Sequence, residues 1–438
     1  MQQTSEPLVE HIKQTELALQ RGLQAWILAG LAFMLIPGTY WGGLNLIHIA
    51  GAHAAARADR AWLQAHGHAQ IFGWVGSFIL GIGFYSLTKM AHVRAFAIWR
   101  MWASLSLWAA GVSLRWISNL WRWEWRLMLP VSAFLELAAF GLFFFTIRRH
   151  HTSANSADRT SLASRVWILV VRAGTAGFFA SLAANFVLAV WLGFRGVEPA
   201  VPQQWNQRLL VLFTWAFPVL TIWGFSARWL PVFLGLPDPS PRWLLAGVAL
   251  NLAATVAAWA GFWRLAALVF LGASVSAAVG LRVFRSSVRP PKTAGVHAHF
   301  PHFVRMAYGW LLISAALAVV ASAYDRAGGW WGASRHALTV GFISTMVFAI
   351  GQRVLPAFCG MRVLFSPALM GAALRMLAVG CAMRVVSEIG AYESYAPQLW
   401  PFLTISALVE MASFTMFALN LVLTMRQPPA HLMARAAA

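Results

Sequence analysis

The sequence predicts an all-α membrane protein of about twelve transmembrane helices. Its hydrophobic residues make up 60% of the chain and its charged residues only 11%, whereas soluble domains carry about a quarter charged residues. Apolar runs of about twenty residues, the length that crosses a bilayer, recur between Ala25 and Met425. The ten-residue alternation typical of a membrane β-barrel is missing from the sequence. The lipid bilayer is therefore the expected solvent of a polytopic helical bundle.

The periodic apolar runs place twelve spans, separated by short polar connections. The predicted spans are 24–50, 67–88, 97–117, 127–147, 165–194, 207–228, 241–260, 263–283, 303–323, 336–356, 365–387 and 398–425. This layout predicts a cytoplasmic N-terminal segment at 1–23, a single transmembrane domain at 24–425 and a cytoplasmic tail at 426–438.

The positive charge of the chain indicates topology and no nucleic-acid partner. The net charge is +20, but Lys and Arg are scattered through short loops and form no patch or stripe. The termini and the loops after even spans hold about 20 of them, against about 11 in the loops after odd spans. Because cytoplasmic loops are enriched in Lys and Arg, both termini are predicted to be cytoplasmic.

An internal repeat aligns the second, sixth and tenth spans. Residues 68–73 read H-A-Q-I-F-G and residues 336–341 read H-A-L-T-V-G, and both are followed at one offset by Ile-Gly. The sixth span ends in R-W-L-P and the tenth in R-V-L-P. A period of four spans in twelve predicts three arcs around a pseudo-threefold axis. In the sixth span, Val211 takes the place of the histidine.

The repeated histidines are the strongest candidate ligands. His68 and His336 both begin spans that run inwards, so they share one depth near the outer surface with His48 and His66. Two neutral imidazoles from facing helices can hold a haem iron on both faces. We therefore predict a haem b held by His68 and His336, with His66 and His48 as further metal candidates. The alternative is that these are interfacial histidines bonded to nearby carbonyls.

Other polar residues leave two interpretations open. Arg115, in the outer turn of the third span, suits a haem propionate, but it also suits a snorkelling interfacial arginine. Glu136 and Glu410 lie within spans four and twelve, where a carboxylate carries protons or pairs with a polar neighbour. The polar connection before the ninth span has a metal-like density of histidines at 297, 299 and 302, but no cysteine or carboxylate partner.

Several common functional classes are excluded by motif. The sequence contains no G-x-S-x-G, Walker A or H-E-x-x-H motif. Cys359 and Cys381 lie in or beside apolar helices and form neither C-x-x-C nor C-x-x-C-H, which argues against a disulfide framework and covalently attached haem.

The motifs resemble those of the NnrS family. Residues 66–73, H-G-H-A-Q-I-F-G, resemble its W-H-x-H-E-x-x-F-G stretch, and 228–233 are similar to its G-R-V-I-P-x-F segment. Residues 336–341 match its H-A-L-T-V-G, and Arg115 resembles an arginine of its third span. Ala69 departs from the pattern, because it stands where the family has an acidic residue.

The resemblance implies a bacterial inner-membrane protein that contains haem, with copper as an additional cofactor, and that acts in denitrification or in resistance to nitric oxide. The layout also looks like the catalytic subunit of haem-copper oxidases. Spans six and seven lack the histidines that bind copper there, so turnover at a binuclear centre is not expected and enzymatic activity stays open. Two alternatives remain, a quinol-linked b-type cytochrome that transfers electrons and a transporter without a cofactor.

Overall fold

Twelve long helices make up the described part of the protein. The computed structural model describes residues 6–54, 58–90, 96–150 and 162–428. The helices are α1 (6–52), α2 (60–90), α3 (Trp99–Trp121), α4 (Trp125–His150), α5 (Leu162–Arg195), α6 (203–233), α7 (Pro241–Trp259), α8 (Trp263–Leu281), α9 (Phe300–Tyr324), α10 (329–358), α11 (Pro367–Tyr392) and α12 (Trp400–Arg426), the last preceded by a 3-10 turn at Pro397–Leu399. The described residues contain no β-strand.

The helices confirm the predicted fold class, because one helix corresponds to each of the twelve spans. Eleven of the described helices are long and apolar enough to cross a membrane. The twelfth is α3, which is 23 residues long. It contains Arg100, Arg115 and several tryptophans and serines, which lower its mean hydropathy.

The ends of the chain bear on the predicted cytoplasmic segments. Helix α1 begins at Glu6, so most of the N-terminal segment predicted at 1–23 continues into the first span as one helix. Residues 1–5 of that segment, and 429–438 of the predicted tail, lie outside the described residues. The end of the bundle where α1 ends and α2, α6 and α10 begin is called the site end below.

The repeat of α2, α6 and α10 appears in their backbones. Each contains an eight-residue π-helical segment, at Ala69–Gly76, Leu212–Val219 and Ala337–Ser344. All three segments begin directly after His68, Val211 and His336, the positions that the sequence repeat aligns. Because π-helix is rare and concentrates at functional sites, three segments in one register mark this level of the bundle.

Capping carboxylates fix where the two histidine-bearing helices begin. Asp59 accepts hydrogen bonds from the backbone N–H groups of Ala61 and Trp62, at 2.8 and 3.2 Å, at the start of α2. Asp325 accepts from Trp330 and Trp331, at 2.8 and 3.1 Å, at the start of α10. These side chains satisfy amide groups that have no partner within the helix.

Hydrogen bonds between neighbouring helices repeat in the three arcs. Ser104 Oγ on α3 donates to the carbonyl of Ala139 on α4 at 2.9 Å, and Ser413 Oγ on α12 donates to that of Ala373 on α11 at 2.7 Å. In the middle arc the backbone N–H of Ser240 donates to the carbonyl of Gly280 at 2.7 Å. The pairs α3–α4, α7–α8 and α11–α12 therefore pack in one register around the pseudo-threefold axis.

Candidate functional site

One glycine in each arc aligns the polar residues of the site. A methyl group on Gly111 of α3 would lie 2.8 Å from Cγ of Glu136 on α4, and a methyl group on Gly380 of α11 would lie 2.8 Å from Cγ of Glu410 on α12. In the middle arc a methyl group on Gly247 of α7 would lie 3.0 Å from the backbone nitrogen of Ala277 on α8. Each glycine thus lets the next helix approach closely. The residues that face the three glycines, Glu136, Ala277 and Glu410, therefore occupy equivalent positions in the three arcs.

An arginine follows the glycine by four residues in two of the arcs. The first arc therefore presents His68, Arg115 and Glu136, which together are called the first pocket. The corresponding group of the third arc is called the third pocket. The third pocket consists of His336, Arg384 and Glu410, together with Glu388 and His66. One histidine, one arginine and one glutamate from three successive helices thus occur twice.

The middle arc has lost this polar set. Val211, Asn251 and Ala277 stand where the other arcs have histidine, arginine and glutamate. A cavity of about 90 Å³ lies between α6, α8, α9 and α10 on this side, lined in part by Val211 and Arg335. Only the first and third arcs therefore offer imidazole ligands at this depth.

The first pocket joins three helices through one carboxylate. His68 Nε2 donates to Oε2 of Glu136 at 3.1 Å, and both side chains are buried. The buried guanidinium of Arg115 interacts electrostatically with the same carboxylate. Nε and Nη1 of Arg115 and Oε1 of Glu136 have no hydrogen-bond partner in the described part of the chain. His68, which the sequence predicts as a haem ligand, is therefore engaged at Nε2.

The first pocket is closed on one side by aromatic rings. The imidazole of His68 lies 4.8 Å, between ring centroids, from Phe72, which contacts Phe213 at 4.7 Å. Phe178 and Phe217 stack at 3.7 Å in the same cluster. This packing separates the pocket from the bundle beneath it.

The third pocket holds His336 in a fixed orientation. Its Nδ1 lies 2.8 Å from Oε2 of Glu388 and 3.0 Å from the carbonyl oxygen of Gly332. Nη2 of Arg384 donates to Oε1 of Glu388 at 3.4 Å. Glu410 interacts electrostatically with Arg384 and His336. A hydrogen on Nδ1 is thereby shared between two acceptors, which leaves Nε2 of His336 for a ligand.

His66 belongs to the third pocket, whereas His68 belongs to the first. The Nδ1 atom of His66 lies 2.8 Å from the carbonyl oxygen of Gly38 on α1, and His66 interacts electrostatically with His336 and Arg384. Its imidazole fills the space that a methyl group on Gly42 would take. Because successive residues of a helix turn by about 100°, residues two apart point to nearly opposite sides.

Two further described histidines, His48 and His53, lie outside the two pockets. His48 is exposed on α1, so the structure does not bring it to either pocket. His53 stacks on Trp400 with 5.4 Å between ring centroids. The described residues contain no group of three or more His, Cys, Asp or Glu side chains that could hold a metal ion. The histidines at 297, 299 and 302 therefore do not form such a group.

Sequence reasoning missed Arg384 and Glu388. A detectable signal was present, because Gly111 and Arg115 form a G-x-x-x-R pattern that Gly380 and Arg384 repeat eight spans later. An alignment of α3 with α11 brings the two patterns into register.

The fold and the site together define the class of protein. The structure is similar to that of a haem-copper terminal oxidase dimer determined by cryo-electron microscopy, with a TM-score of 0.59 and 12% sequence identity over 94% of this chain and 85% of that chain. At this identity the likeness establishes the fold alone. The chain is therefore a multi-pass membrane protein with the fold of a haem-copper oxidase subunit.

The sequence gives the family. A family model described as a domain of unknown function (DUF8744) matches residues 164–426, which is more than half of the chain, so the protein belongs to that family. The sequence has no match among the curated proteins. The likeness to NnrS rests on the sequence motifs alone and enters the proposal below.

Proposed function

We propose that this protein is an NnrS-like haem protein of the bacterial inner membrane, with both termini cytoplasmic, that serves in the response to nitric oxide. The observation that carries the proposal is the third pocket, which includes His66 from α2 and His336 from α10. These are the central helices of the first and the third arc. The likeness in fold to a haem-copper terminal oxidase supports a haem in such a bundle.

The donor set fits an iron with two axial imidazoles. The Nδ1 atoms of His66 and His336 lie within hydrogen-bond distance of the carbonyl oxygens of Gly38 and Gly332, at 2.8 and 3.0 Å. A metal-bound histidine normally donates its other ring N–H to such an acceptor, which fixes the tautomer and raises the basicity of the ligand. Both Nε2 atoms are thus the candidate iron ligands.

Charged partners of a porphyrin are also present. Nε and Nη1 of Arg384 are buried and have no hydrogen-bond partner among the described residues, and two acidic propionates would satisfy such donors. Glu388 holds His336 at 2.8 Å. In this proposal Arg384 binds a propionate and Glu388 orients the ligand.

The sequence-based pair, His68 and His336, remains a competing ligand assignment. The bond from His68 Nε2 to Glu136, at 3.1 Å, leaves only Nδ1 of His68 for an iron, whereas His66 and His336 are engaged at Nδ1 and both leave Nε2. This matching of the two nitrogens, together with the interaction of His66 with His336, favours His66 in its place. In the present proposal His68 and Arg115 therefore belong to a separate polar pocket.

A haem held by two imidazoles supplies one-electron chemistry. His66 and His336 would hold the haem, and Arg384 would neutralise a propionate. Nitric oxide is the small molecule that the NnrS resemblance implies, and copper is a further candidate cofactor. Quinol is the alternative reductant if the protein is an electron-transfer subunit.

Optical spectra of the purified protein test the proposal. Dithionite-reduced minus oxidised spectra should show the bands of a low-spin b-type haem, and elemental analysis of the same sample gives iron and copper per chain. His66→Ala and His336→Ala should each lose the low-spin signature. His68→Ala is the matched control, and it should keep the signature.

Each outcome separates the competing ideas. A colourless protein with no iron would contradict the haem and favour a transporter. Loss of the signature in His68→Ala but not in His66→Ala would keep the haem and reject His66 as its ligand. Reduction of the haem by quinol in membranes would favour the electron-transfer role over a response to nitric oxide.

A further inference from the structure

An apolar cavity of about 110 Å³ lies between the three central helices, α2, α6 and α10. All of its lining residues except Val75 lie on the far side of the π-helical segments from the site end. Its lining residues therefore belong to neither polar pocket, and the proposed haem does not use them.

The cavity is centred on the pseudo-threefold axis. The lining residues Ile79, Ile222 and Val347 all stand eleven residues after His68, Val211 and His336 respectively. Ile82, Phe225 and Ile350 all stand fourteen residues after the same positions. Since equivalent positions of all three arcs face one space, the cavity is a property of the repeat and not a packing defect of one helix.

The walls offer little to water. The hydroxyl of Thr221 already donates to the carbonyl of Phe217 at 2.9 Å, and that of Ser226 accepts from Tyr308 at 2.8 Å. A buried water needs two to four polar partners. The rest of the lining is aliphatic, aromatic or thioether, so an isolated water would lose hydrogen bonds there.

The size of the cavity selects the ligand. An apolar cavity of about 150 Å³ engineered in another protein stays dry and binds benzene or xenon. A cavity of about 110 Å³ is suited to a smaller apolar guest, and its walls provide no charge for an ion.

We propose that this axial cavity is a binding site for a small apolar gas molecule of the dioxygen or nitric oxide class. The guest gains dispersion contacts with three helices at once. The site requires neither haem nor metal, so it stands independently of the proposed function.

Xenon is the probe for this site. The full-length purified protein is crystallised or vitrified under xenon pressure, with and without haem loading, and its structure is determined. One xenon atom is expected on the axis between Val347 and Ile79. Dioxygen and nitric oxide, applied separately, should each reduce the xenon occupancy, and the gas that does so at lower pressure is the preferred guest.

Three variants sharpen the test. Val347→Phe should fill the cavity and abolish the xenon peak, whereas Ile350→Ala should enlarge it and raise the occupancy. Ile313→Phe adds the same ring at a position of α9 that is 44% exposed, and it should leave the peak unchanged. Melting curves establish that each variant is folded.

Three results would overturn the proposal. They are ordered water or a detergent chain in place of xenon, a xenon peak that survives in folded Val347→Phe, and xenon that neither gas displaces.

Discussion

Arg115 and Arg384 occupy equivalent positions in two of the three arcs. Each follows by four residues a glycine that packs against a glutamate of the next helix, and in each Nε and Nη1 have no partner among the described residues. Their surroundings differ, because position 119 is asparagine while the equivalent position 388 is a glutamate that binds His336. One repeated arrangement thus provides two pockets with different electrostatics.

This difference predicts that only Arg384 influences the proposed haem. Arg384→Gln removes a positive charge near His66 and His336, and such a charge favours the reduced iron. The midpoint potential should therefore fall, on the order of 60 mV for a tenfold change in the equilibrium. Potentiometric titration followed at the haem bands measures the shift.

Arg115→Gln is the matched control, since it removes the same charge from the equivalent position of the first pocket. Arg384→Lys keeps the charge and should recover most of the potential. Equal shifts in Arg115→Gln and Arg384→Gln would mean that the iron does not belong to the third pocket.

Gly42 gives a test of where His66 must lie. A methyl group there would overlap the imidazole of His66, so Gly42→Ala should displace the ring and lower the haem bound per chain by several-fold. Gly51 is on the same helix and has nothing within 4 Å of an added methyl group. Gly51→Ala should keep full haem content. The haem-to-protein ratio from pyridine haemochrome spectra decides, and equal content in both variants would argue against His66 as a ligand.

The sequence predicted the spans and the histidine repeat because both are periodic in one dimension. It could not show that His66 and His68 face different pockets, since their directions depend on how α2 is rotated about its axis. That rotation is set by contacts with Gly38 and Glu136, which lie on other helices. The π-helical segments add a further local change in rotation that the residue spacing does not reveal.

The two opposite charges of the first pocket predict a non-additive effect on stability. Arg115→Met leaves Glu136 buried without the positive charge that interacts with it electrostatically, and a buried polar group left uncompensated in this way costs about 1–3 kcal/mol. Arg115→Met/Glu136→Met removes both charges and should recover part of the loss, the remainder being the hydrogen bond that His68 Nε2 makes to Glu136. Unfolding of the purified protein in denaturant, followed by tryptophan fluorescence, gives the two free energies. A double variant that is less stable than either single variant would show that the charges do not act as a pair.

His297, in the connection between α8 and α9, predicts that the stability of the protein depends on pH. Burial, Arg375 and His299 together hold the pKa of His297 below its ordinary value of 6.5, and its Nδ1 accepts a hydrogen bond from the N–H of His299 at 3.2 Å. Between the lowered pKa and 6.5 the unfolded chain binds more protons, so the free energy of unfolding rises with pH in that window. Acidification from pH 7 towards 5 should therefore lower the melting temperature.

His297→Asn keeps an acceptor at the position of Nδ1 but does not titrate. It should flatten the part of the pH profile that His297 contributes, as measured by melting curves at a series of pH values. His302→Asn, at an exposed position of the same segment, is the control, and it should keep the wild-type slope. If the melting temperature of His297→Asn depends on pH as steeply as that of the wild type, other groups cause the acid sensitivity, because position 297 no longer titrates in this variant.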